Sequence, residues 1–148
     1  MTIVAKEVHE RAQEPMIWFQ HDANASQDLK MRRMALKYGN HAKGTFWNLC
    51  EILAAAKHHA IPLETHEDWV VLASALEMYL PGPFDEVQSV AECKDFIMYL
   101  LEIGLLVRDG KGRIESERMC KNALYFGSQR VNGAKGGRPR KNKSEQPK

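Results

Sequence analysis

His21 and Asp22 are adjacent, and an imidazole beside a carboxylate is a pair able to share a divalent ion. A metal centre needs further ligands on rigid elements. The other histidines do not supply them, because His58 and His59 are consecutive and diverge by about 100° on a helix, while His66 sits near a helix start. Local roles fit better: Asp22, Asn24 or Ser26 accepts backbone N–H bonds where a helix begins, and His21 packs beside it. There is no nucleophile with a neighbouring base, no phosphate-cradling glycine loop and no defensible pair of facing carboxylates. The chain is therefore read as non-enzymatic, with no cofactor and no metal.

The chemistry that the residue types favour is electrostatic. Up to Ile103 the chain carries nine Lys/Arg against fifteen Asp/Glu, and from Gly104 onward twelve against four, so a net +2 conceals −6 followed by +8. Such a split presents a concentrated cation to a polyanion, and nucleic acid is the expected one. Three basic features are the candidate DNA contacts. The first comprises Lys30, Arg33 and Lys37, and the second comprises Arg108, Lys111 and Arg113. The third is the C-terminal run of Arg130, Lys135, Arg138, Arg140, Lys141 and Lys143, six bases uninterrupted by an acid. Within it, Gly136-Gly137-Arg138-Pro139-Arg140-Lys141 resembles an AT-hook, in which proline keeps the chain extended and glycine admits the backbone to a narrow minor groove. Gly136 stands where the hook has its first arginine, so weaker and less selective binding is expected. The alternative is an unstructured basic extension that binds phosphate anywhere.

The elements that must position these residues are mainly helical. Met1 to Pro15 reads as a frayed amphipathic arm, and Met16 to Phe19 as an extended segment docking through its aromatics. Helices are expected from Ser26 to Tyr38, closed by Gly39, and from Ala42 to His59, followed by a short strand at Ile61-Pro62-Leu63. Thr65 with Asp68 starts a third helix that runs toward Leu80, and Asp85 with Gln88 starts a fourth that closes at Gly104. Leu105 to Glu115 then carries a hairpin signal, and a last helix spans Ser116 to Phe126. This order predicts a winged helix-turn-helix with a β-hairpin wing and a flexible basic C-terminal tail, divided as arm 1–15, winged-helix domain 16–127 and tail 128–148; an all-α bundle with an added hairpin is the alternative.

The fourth helix offers Glu86, Glu92 and Asp95 on its polar side, which suits a protein partner or self-association better than a phosphate-lined groove. Trp18, Tyr38, Phe46, Trp47 and Trp69 are spaced as core residues, so no exposed aromatic platform for unpaired bases is expected. Three widely spaced cysteines read as reduced thiols, and no apolar run approaches the length of a membrane span, so a cytoplasmic protein without membrane contact is expected.

Trp18-Phe19-Gln20-His21-Asp22-Ala23-Asn24-Ala25, followed by Asp28-Leu29, resembles the opening of the phage and prophage replisome-organiser N-terminal domain. The similarity continues in Lys37-Tyr38-Gly39, Gly44-Thr45-Phe46-Trp47, Gly104-Leu105-Leu106 and Ser116. The resemblance implies a winged-helix fold like that of DnaD-type primosomal proteins, and a role with DNA and another replication protein. A second helical domain of the DnaD C-terminal kind has no counterpart in these 148 residues. The expectation is a DNA-binding accessory protein of phage or prophage replication; the alternatives are a winged-helix transcriptional regulator and a protein–protein adaptor using the acidic helix face.

Overall fold

The computed structural model describes residues 2–78 and 85–136. Six helices dominate: α1 (Ile3–Ala12), α2 (Leu29–Tyr38), α3 (His41–Ala55), α4 (His66–Ala75), α5 (Glu86–Glu102) and α6 (Glu117–Lys135). Three two-residue strands, β1 (Ala60–Ile61), β2 (Val107–Arg108) and β3 (Ile114–Glu115), form an antiparallel sheet in the order β1-β3-β2. Ile61 lies opposite Ile114, and Arg108 lies opposite Ile114 on its other side.

Local chemistry sets most helix starts. The Thr65 hydroxyl accepts from Asp68 N–H, while the Asp68 carboxylate accepts from Thr65 N–H at 2.9 Å and Glu64 N–H at 3.0 Å. Those backbone donors hold the Asp68 carboxyl below its ordinary range. Asp85 caps α5 through Gln88 N–H, and Ser116 caps α6 through Met119 N–H. Gly39 (φ 91°) and Gly104 (φ 78°) follow α2 and α5 in the left-handed region that those chain reversals require.

Several boundaries differ from expectation. The cap of α2 is Asp28, whose Oδ1 accepts from Lys30 N–H at 2.9 Å and Met31 N–H at 3.3 Å, rather than Asp22, Asn24 or Ser26; residues Ala25–Gln27 form a separate 3-10 turn. The α3 helix stops at Ala55, because His58 (φ 63°) and His59 (φ 54°) are left-handed and the chain must swing into β1. His59 makes that bend a junction: fully buried, it faces Ala12 O through Nε2 at 2.8 Å and Leu53 O through Nδ1 at 3.3 Å. The α4 helix ends at Ala75 instead of continuing toward Leu80, with Leu76 and Glu77 turning the chain out of the helix.

The N-terminal segment is an ordered helix, and α6 runs well past Phe126. One fact explains both: α1 lies against α6, and Gly127 is where they meet, so closely that a Cβ there would sit 2.9 Å from Val8 O. The remaining helices enclose a core centred on Met34, Leu49, Leu53, Phe96, Ile97 and Leu100, all buried, with Leu106 and Ile114 tying the sheet to it. Burial pushes the Cys50 and Cys93 thiols up to about 12, so both are protonated and unreactive at neutral pH.

Candidate nucleic-acid interface

The α2 cations lie along the end of α5. Lys30 Nζ donates to Gly104 O at 3.1 Å, which places its charge at the carbonyl terminus of α5. One turn and three residues further on, Lys37 Nζ lies 4.2 Å from the Tyr99 ring centroid, and Arg33 is exposed on the same helix. Lys37 and Arg108 line one shallow groove together with Asp95, Tyr99 and Glu102. The α2 helix and the base of the hairpin therefore do share a surface, although carboxylates stand among their cations.

The tip of the hairpin is organised by an acid. Asp109 accepts from Lys111 N–H at 2.9 Å, from Arg113 N–H at 2.8 Å and from Arg113 Nε at 2.7 Å. Burial raises the Asp109 carboxyl, but these donors outweigh it and hold the group below its ordinary range. Arg113 is thus committed to the turn, and Arg108 donates to Gly112 O at 3.2 Å, so Lys111 is the hairpin cation that projects. Lys57, which the sequence reading passed over, joins this end: His58 is held below its ordinary pKa by desolvation and then by Arg113, Lys57 and Lys111.

Arg130 and Lys135 are exposed on the distal half of α6. Arg138, Arg140, Lys141 and Lys143 lie outside the described residues. Two cations of α6 escaped the sequence reading altogether. Arg118 pairs with Asp22, and Lys121 pairs with Glu117 at 2.9 Å. The Glu117 carboxyl is lowered first by its bond to Lys121 and also by the field of Lys30, which brings the start of α6 beside α2.

The acidic candidates of α5 are used inside the fold. Glu86 Oε1 meets His66 Nε2 at 2.9 Å and so joins α5 to α4. Glu92 accepts from Gln88 at 3.3 Å, and Asp95 accepts from the Tyr38 hydroxyl at 2.6 Å. Burial, and then that bond to Asp95, raises the Tyr38 phenol well above its ordinary pKa, so it remains a donor.

Aromatic exposure departs most from expectation. Trp18 is 60% exposed and packs edge-on against Phe126 at 5.1 Å, and Tyr125, 61% exposed, lies beside Phe126 at 5.5 Å. An exposed aromatic ledge therefore exists, contrary to the core role expected of Trp18. Phe19, by contrast, turns inward onto Trp47 at 6.2 Å, and His21 stacks on the same indole at 3.8 Å. His21 and Asp22 thus act by packing and by pairing with Arg118.

Next to the ledge is a cavity of about 300 Å³ between the 16–28 segment, α3 and the first half of α6. Phe19, Gln20, Asp22 and Asp28 enter it from the opening motif, and Phe46 and Trp47 from α3. Gly104, Leu105 and Ser116 close it from the other side. Segments scattered over a hundred residues of sequence, each singled out above for its resemblance, border one space.

Among the described residues no helix is long and apolar enough to cross a membrane. No curated protein and no solved structure gives a significant match. The model of the family described as Lin1244/Lin1753-like, N-terminal, matches residues 18–117, which include the opening motif, the cavity walls contributed by α3 and the whole β-hairpin. The chain belongs to the Lin1244/Lin1753-like N-terminal family.

Proposed function

We propose that this protein is a non-enzymatic DNA-binding accessory factor of phage or prophage replication, in which a winged-helix body carries a basic C-terminal extension. The observation that carries the reading is the segregation of charge, −6 up to Ile103 and +8 beyond it. The order of elements supports the winged-helix part: strand β1, helices α4 and α5, then a hairpin whose β3 pairs with β1. The groove shared by Lys37 and Arg108 supports contact near the base of that wing. The α5 helix is a poor groove reader, since its exposed side is mostly apolar or acidic, with Gln88 its one exposed amide, which donates to Glu92, and Lys94 its one cation, which lies over the Trp69 ring.

The test compares the full chain with one ending at Lys135, which leaves α6 and its contact with α1 intact. Arg138, Arg140, Lys141, Lys143 and Lys148 are removed. With five phosphate-neutralising cations lost, the slope of log K against log[salt] on duplex DNA becomes shallower by about 4.5. Equal affinity and equal slope for the two chains would defeat the assignment to the extension. A regulator of transcription would instead hold one operator against excess unrelated duplex, whereas the present reading expects displacement with at most an A·T bias.

One observation favours an additional protein contact. Val87 is 81% exposed on α5 with Met98 and Ala91 along the same stripe, while Glu86 and Asp95 are already bonded within the fold. A replication partner or a second copy is therefore expected on the apolar stripe rather than on the acids. Val87→Asp should abolish association measured by sedimentation and leave DNA affinity unchanged.

A further inference from the structure

We infer that the cavity beside the aromatic ledge is a pocket for one unstacked base of single-stranded DNA, with the next base resting on Trp18. The inference rests on the DNA-binding reading above and deepens it by specifying the strand state that the body recognises.

Three features argue for this occupant. The first is size: about 300 Å³ lies at the lower limit of small-ligand pockets, which suits a base with its sugar. The second is the character of the walls. Phe19 and Phe126 supply apolar ring surfaces, Trp47 borders the space with His21 stacked on its indole, and the amides of Asn122 and of Gln20, one of whose N–H groups already donates to Asp22, offer donors and acceptors to a base edge. An aliphatic side chain of a protein partner would have no use for those amides. The third is continuity. Phe126 borders the cavity and also packs edge-on against Trp18 at 5.1 Å, so the ledge adjoins the pocket.

The mouth supplies phosphate contacts. Lys30, Arg118 and Lys121 border it, opposed by Asp22, Asp28 and Glu117, so the rim is balanced rather than strongly cationic. The Lys121–Glu117 pair is exposed on both sides and is easily exchanged for a phosphate, and Arg118 keeps donors beyond those that Asp22 engages. A balanced rim with aromatic walls predicts that the bases, rather than the backbone, dominate binding at this place. That separates it from the C-terminal extension, where charge alone acts.

The experiment measures anisotropy of three labelled probes with the full chain: a short oligo-dT strand, an abasic strand of equal length and a duplex. The variants are Trp18→Ala, at an exposed position, and Asn122→Trp, which fills the cavity from α6; circular dichroism melting of each checks that the fold is kept. The expected result is that the abasic strand binds about a hundred-fold more weakly than oligo-dT, about ten-fold for each of the two bases held. Each variant removes one of the two base sites and should cut that preference to about ten-fold while duplex affinity stays unchanged. Equal binding of oligo-dT and abasic strands by the unaltered chain overturns the proposal and leaves the cavity to an apolar side chain of a protein partner, with DNA binding as such intact. Retention of the full preference by a folded Asn122→Trp chain overturns it too. Failure of all three probes to bind would instead overturn the DNA-binding reading itself, and this proposal with it.

Discussion

Replacing Gly127 with alanine should destabilise the protein even though it puts a better helix former inside α6. Helix propensity alone favours alanine by about 1 kcal/mol. Against this, the new Cβ would lie 2.9 Å from Val8 O and 3.2 Å from Ala12 N, both backbone atoms of α1 that cannot swing aside as a side chain would. Overpacking of this kind costs about 1–3 kcal/mol. Sliding α1 away is resisted at its C-terminal end, where His59 faces Ala12 O at 2.8 Å and His58 N–H donates to Gln13 O at 2.8 Å. The clash outweighs the propensity gain, for a net loss of about 1 kcal/mol, or about 3 °C in Tm. Gly133→Ala is the internal control: it lies on the same helix with nothing within 4 Å of the added Cβ, so it should stabilise by up to about 1 kcal/mol, less where the helix end frays. Urea and thermal denaturation of the two variants reads the difference in sign. If Gly127→Ala proves as stabilising as Gly133→Ala, α1 does not lie against α6, and the account of the N-terminal segment given above is wrong.

Thr65→Ala removes the hydroxyl half of the α4 capping box and should cost about 1 kcal/mol in urea denaturation, with no loss implying that the box contributes nothing. The Asp109 carboxyl sits below its unfolded value of about 3.9, so the stability it lends the hairpin is complete above that pH and is lost as pH falls through the lower folded value. Amide exchange at Lys111 and Arg113, compared with Asp109→Asn at matched pH, should show protection in the wild type that disappears in acid; protection equal in both chains would sink the assignment. Lys30→Gln removes a cation from the carbonyl end of α5 and should lower stability by about 0.5 kcal/mol, an effect that added salt reduces; an unchanged melt would mean that Lys30 does no structural work and is wholly available to a ligand.

The starts of α4 and α5 were legible because a cap is a local event, whereas the cap of α2 fell to Asp28 after an intervening 3-10 turn rather than to Asp22, Asn24 or Ser26. Thr65 with Asp68, Asp85 with Gln88, and the glycines at 39 and 104 each complete their geometry within a few residues. Helix ends set by tertiary contact were not. The last helix was expected to end at Phe126 and the tail to begin at residue 128, yet α6 continues to Lys135, with α1 lying against it at Gly127 and nothing near Gly133. The cations show the same division. Type and number foretold a basic C-terminal third, whereas which cations stay free depended on neighbours distant in sequence: Lys30 on Gly104, Arg118 on Asp22, Lys37 on Tyr99. Arg113 was the readable exception, since Asp109 is only four residues away.

The aromatics carry this furthest. Spacing cannot distinguish a buried ring from an exposed one when both flank the same turn, and Trp18 and Phe19 are consecutive residues with opposite fates. Backbone geometry decides between them. Met16 N–H is anchored to Ala54 O at 2.8 Å, so the chain enters the 16–28 segment with Met16 buried, and Phe19 reaches Trp47 while Trp18 is left facing α6. That anchor joins residues 38 positions apart, and the cavity it helps to shape draws on α3, α6 and the turn after α5 as well. A pocket assembled from such distant pieces leaves no periodic trace in any one of them. It does leave a dependence: if Met16 is the hinge of the 16–28 segment, then displacing it should move Trp18 off Phe126 and open the cavity wall together, so ledge and pocket would be lost as one unit.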